Sequence, residues 1–141
     1  MTTTGLEVFD TIIQKTNEWL NGIMDELGCD RHMAYLALRA VLHALRDRLT
    51  VEESAQLAAQ LPTLIRGFYY EGWTPAGKPR RTHEWEFLHA IQASFSVSPE
   101  RPDPKLVARA VLTVLSRHVS QGEVEDVIAI LPKDLQALWP R

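Results

Sequence analysis

The chain has 141 residues, of which 45% are hydrophobic and 23% charged, with a formal net charge of −3. That is the composition of one folded domain rather than a disordered tail, and its acidity argues against a protein that coats nucleic acid over its whole surface. A single cysteine, Cys29, makes neither an internal disulfide nor a cysteine-rich zinc site and points to the reducing cytoplasm; neither the opening MTTTGLEVFD nor any later run has the make-up of a signal peptide or a membrane span.

In chain order, Phe9, Ile12, Ile13, Thr16, Trp19, Leu20, Ile23 and Leu27 recur at three- and four-residue steps, which predicts a long amphipathic helix stopped by Gly28. Asp30 caps a second helix with an apolar stripe of Tyr35, Leu38, Val41, Leu42, Leu45 and Leu49, while Arg39, Arg46, Asp47 and Arg48 lie mostly off it. His43 and Asp47, one turn apart, read as a surface pair. Thr50 and Glu53 have capping-box spacing, in which the hydroxyl takes the third amide and the carboxylate returns to the cap amide. The third helix ends before Pro62, which suits the first position of a short fourth helix. GWTPAGKPRRTH, with two glycines and two prolines, forbids regular structure and reads as a connector. Beyond it Trp85, Phe87, Leu88, Ile91 and Phe95 open another helix, Asp103 and Pro104 start the next, Ser120 and Glu123 repeat the capping box, and Leu138 and Trp139 look like core anchors.

This order is the same helix plan twice. At an offset of 70 residues, Arg39, Ala40, Val41, Leu42, Leu45, Glu53, Ala59, Leu61 and Pro62 meet identical residues at 109, 110, 111, 112, 115, 123, 129, 131 and 132. Upstream the offset is 68, pairing Trp19 with Phe87 and Ile23 with Ile91, so the second copy holds a longer loop, SPERPDP. The expected fold is all-α: a duplicated repeat of about four helices per copy, the last short, packed as one bundle about a pseudo-twofold axis. Residues 1–72 form the first repeat, 73–82 the basic connector and 83–141 the second repeat.

Chemistry is thinly signalled. The glycine elbows of hydrolases, phosphate loops and dinucleotide motifs do not occur in the sequence. Cys29, at a helix junction, has no identifiable base and reads as an incidental turn residue. Glu86 and His89 share a helix face, yet one Glu-x-x-His pair is not a metal site, and a solvated face explains it. Arg39 and Arg109 recur together with Glu53 and Glu123, for which helix packing and capping suffice. The most informative stretch is RGFYYEGWTPAGKPRR: Tyr69, Tyr70 and Trp73 run into Lys78, Arg80 and Arg81, rings beside cations as at an edge that binds nucleic acid or acidic peptides. The competing reading packs the aromatics into the domain, as Leu138 and Trp139 suggest for the other copy.

AYLALRAVLHALRDRLTVEESAQLAAQLPTLIRGFYYEGW, the basic connector, and the second RAVL…GEVEDVIAILP…LW resemble the bacterial family called domain of unknown function 2267, over nearly the whole chain. The resemblance implies a small, cytoplasmic, all-helical protein and names no catalytic residue, cofactor or substrate. The expectation is a non-enzymatic interaction module without a cofactor, binding a protein partner or itself. The alternative is nucleic-acid or ribosome association through the connector, and a metal-dependent or thiol enzyme stands further back.

Overall fold

A computed structural model describes residues 2–80, 83–97 and 99–140. Among these residues there are eight helices and no strand: α1 Glu7–Leu27, α2 Arg31–Arg46, α3 Val51–Ala59, α4 Thr63–Tyr70, α5 Glu84–Ala93, α6 Pro104–His118, α7 Gln121–Ile130 and α8 Lys133–Gln136. None is long and apolar enough to cross a membrane.

Helices α2 and α6 form the centre. Their stripes, Leu38, Val41, Leu42 and Leu45 on one and Val107, Val111, Leu112 and Leu115 on the other, are all buried. α1 packs on α2 and α6, and α5 packs on the same two helices; α4 lies against α1 and α2, while α3 meets α7. α1 comes close to α6 because Gly22 has no side chain: a Cβ there would stand 3.2 Å from a Val114 methyl. Farther along, Trp19 stacks on His118 with ring centroids 4.8 Å apart, and Glu26 pairs with Arg117.

The predicted caps govern where helices begin and end. Gly28 sits in the left-handed region at φ 66° and donates its amide to the Met24 carbonyl, closing α1. Asp30 accepts from the Met33 amide at 2.8 Å, and Asp103 accepts from Lys105 with Pro104 in the first turn. Thr50 and Ser120 accept the amides of Glu53 and Glu123 at 3.1 and 3.2 Å. The other half of each predicted box is not made. The Ser120 amide goes to Oε1 of Gln60, at the end of α3, and both glutamates turn into the contact between α3 and α7. Pro62 and Pro132 stand as N-caps, one residue earlier than their spacing suggested, with extended ψ near 157° and 154°.

Two arginines expected off the apolar stripe are buried. Arg46, at 6% exposure, donates from Nη1 to the carbonyls of Tyr69 and Glu71, both at 2.6 Å. These are carbonyls at the end of α4 that its own helix leaves unpaired, so a buried charge is stabilised by the groups that most need a donor. His43 works beside it, its Nε2 lying 2.6 Å from the Phe68 carbonyl, in place of the expected pair with Asp47. Arg48 bonds the Ala44 carbonyl and lies 5.7 Å from the centre of the Phe87 ring, joining the end of α2 to α5.

Candidate functional site

The connector is the leading candidate from sequence, and among its described residues Tyr69 and Lys78 turn inward while Arg80 is exposed. Tyr69 is fully buried and donates its hydroxyl to the Ser54 carbonyl at 3.1 Å. Burial raises its phenol pKa far above the usual range. Tyr70 is half-buried between Tyr69 and Trp73, with ring centroids 5.3 and 5.4 Å away, and Trp73 is half-buried too. The three rings thus form one packed row that fastens the chain leaving α4. Lys78 runs inward: its side chain is 2% exposed and its Nζ lies 3.7 Å from Oδ1 of Asp47. Arg80 donates its backbone amide to the Asp47 carbonyl at 2.8 Å and leaves its side chain exposed; Arg81 lies outside the described residues.

Arg39 pairs with Glu71 at 3.3 Å, not with Glu53. Glu86 has a structural task, accepting the His83 amide at the start of α5, and His89 projects into solvent one turn on. The pair meets no further close-set ligand among the described residues. Cys29 is half-buried; burial, then the charges of Asp30 and Glu100, push its thiol upward, away from the thiolate that nucleophilic chemistry needs.

A surface that periodicity alone did not mark lies on α1. From Thr16 onward the helix is buried on its inner face by Trp19, Leu20 and Ile23. Its first turns extend past this packing, leaving Leu6 at 51%, Val8 at 58%, Phe9 at 50% and Ile13 at 43% exposure. The end is held in place: Asp10 accepts the Thr4 amide at 3.1 Å, and the Thr4 hydroxyl bonds the Leu6 carbonyl at 3.0 Å. Ile12, half-covered, faces an open cleft of about 380 Å³ shared with Trp19, Pro62 and His118. Partial desolvation, outweighing the attraction of Glu18, lowers the His118 pKa. Lys15, Glu18, Gln60 and Thr63 also line it, so the cleft is mixed in character, with Ile12, Trp19, Leu61 and Pro62 as its apolar part.

The family model described as "Uncharacterized conserved protein (DUF2267)" matches residues 16–138. The chain belongs to the DUF2267 family. No curated protein matches it. The DUF2267 match begins at Thr16, the residue at which α1 goes under cover, so the exposed row of Leu6, Phe9 and Ile13 precedes the matched span. The Arg46 and His43 clasp, the packed aromatic row and the contact of α3 with α7 all fall inside it.

Proposed function

We propose that this protein is a cytoplasmic, non-enzymatic interaction module built from a doubled four-helix unit, and that it binds a second copy of itself through the outer face of the first turns of α1. The observation that carries the reading is the ordered row Leu6, Phe9 and Ile13, with Val8 beside it, about half exposed on a pinned helix end. Its steps of three and four residues are those of a helix seam, which an antiparallel copy of the same helix complements through one self-matching contact. Burying such a side chain completely is worth about 1.5–3 kcal/mol, so covering the row in two chains favours association.

The polar groups support binding over catalysis. His43 and Arg46 are engaged with carbonyls of α4, Lys78 with Asp47, and Cys29 is driven toward the thiol form. The doubled unit is supported by the sequence offset and by reciprocal packing, α1 on α6 and α5 on α2, with α2 on α6 and α3 on α7. A nucleic-acid contact through the connector has less support, because Lys78 points inward and Arg80 is its exposed cation among the described residues.

Sedimentation velocity over a range of concentrations tests the reading. The wild-type chain shifts from monomer to dimer as concentration rises, and a chain carrying Phe9→Glu and Ile13→Glu stays monomeric with unchanged helical circular dichroism. A wild-type chain that is monomeric throughout, or a double variant that dimerises equally, overturns it.

A further inference from the structure

The contact between α3 and α7 holds two carboxyl groups that capping does not explain. Glu53 and Glu123, the third residues of their helices, are each only 7% exposed, so more than nine-tenths of each is buried. Oε1 of Glu53 and Oε2 of Glu123 are fully enclosed and accept no hydrogen bond among the described residues. Neither carboxyl has an ion-pair partner among those residues. Two buried carboxylates facing each other are costly: without an ion the pair is relieved by a proton on Glu123, which hydrogen-bonds the Glu53 carboxyl, and a cation held between them takes that proton's place. Asp126, exposed and one turn beyond Glu123, adds a third acid on the solvent side. One oxygen from each of the three residues lies within 4.8 Å of the others. Oxygens that share one calcium ion, each at about 2.4 Å from it, stand no more than about 4.8 Å apart, and hard divalent cations prefer such all-oxygen sets.

We propose that Glu53, Glu123 and Asp126 form a binding site for a divalent cation of the calcium type. The two glutamates are inner ligands from different helices, so the bound ion ties α3 to α7. Asp126 completes the set at the mouth, where water fills the remaining positions and the ion exchanges with solvent. The site lies apart from the exposed turns of α1, and its occupancy is independent of self-association through them.

Isothermal titration of the full chain, stripped with chelator and then titrated with calcium chloride, tests the site, with thermal melts in calcium and in chelator as a second readout. The wild type shows saturable binding of one ion per chain at or below about 1 mM and a higher melting midpoint in calcium. Glu53→Gln and Glu123→Gln each abolish both responses. Asp126→Asn, a change at an exposed position that keeps the fold whatever becomes of the buried variants, weakens binding by about tenfold or more. Absence of saturable heat in the wild type, or equal responses in wild type and Asp126→Asn, overturns the proposal.

Discussion

Positions 46 and 116, aligned by the 70-residue offset, hold an arginine and a serine, and the chain around them ends differently. Arg46 reaches the carbonyls of Tyr69 and Glu71 while His43 meets that of Phe68, and α4 runs for 8 residues. In the other half Thr113 and Ser116 bond carbonyls of their own helix, Ser116 accepts the Trp139 indole N–H at 2.7 Å, and α8 runs for 4 residues. The apolar stripes of α2 and α6 are nearly the same, whereas the polar residues between them differ. The comparison teaches that the stripe sets where these helices pack, and that long polar side chains at its edge determine how much of the following helix is held. Short hydroxyls satisfy their own helix; an arginine can satisfy its neighbour.

The largest expected effect probes what the halves share. Leu42→Ala and Leu112→Ala each remove a buried side chain from a central helix and should each cost about 2–5 kcal/mol in urea unfolding. Values that differ by more than that spread would show that the two stripes are not equivalent. Arg46→Met sharpens the contrast: it keeps the stem, removes a charged donor and orphans two carbonyls, so about 2–3 kcal/mol is lost, with faster hydrogen exchange confined first to α4 and the connector. Ser116→Ala, its counterpart, should cost only about 1 kcal/mol, chiefly through the Trp139 bond.

A pH series examines the contact of α3 with α7. Burial, followed by the Glu53 carboxyl beside it, pushes the Glu123 pKa from 4.5 up to about 8. The folded chain therefore holds a proton that the unfolded chain releases. That contribution to stability is complete below pH 4.5 and is lost as pH rises through about 8. Thermal melts in chelator should accordingly show a midpoint that declines between these limits, and Glu123→Gln should flatten the decline. An equal slope in that variant would assign the proton elsewhere. The smallest effect compares the caps: Thr50→Ala should cost about 1 kcal/mol, and Ser120→Ala slightly more because Gln60 also bonds that hydroxyl.

Local rules carried much of the fold in the sequence. Gly28, Asp30, Thr50, Asp103 and Ser120 were legible because a cap is a contact within a few residues of chain. Phe9 and Ile13 were assigned with Trp19 and Ile23 to one buried stripe because periodicity reports which face is apolar and says nothing about how far the covering helices extend. Helical spacing sets Arg46 off the apolar stripe and neighbouring rings set Lys78 at a binding edge, whereas their partners, the end of α4 and Asp47, lie 23 to 31 positions away in the chain. Glu53 and Glu123 fitted a local cap equally well by spacing; what draws them together is the packing of α3 on α7, which no single stretch encodes. Their recurrence at aligned positions was the available signal.

All of this rests on a shared interior, in which α1 needs α6 as much as α2, and α5 needs α2 as much as α6. Differential scanning calorimetry of the intact chain measures that dependence directly. One endotherm whose calorimetric and van 't Hoff enthalpies agree is the predicted result. Two resolved endotherms, one for each half, would contradict it.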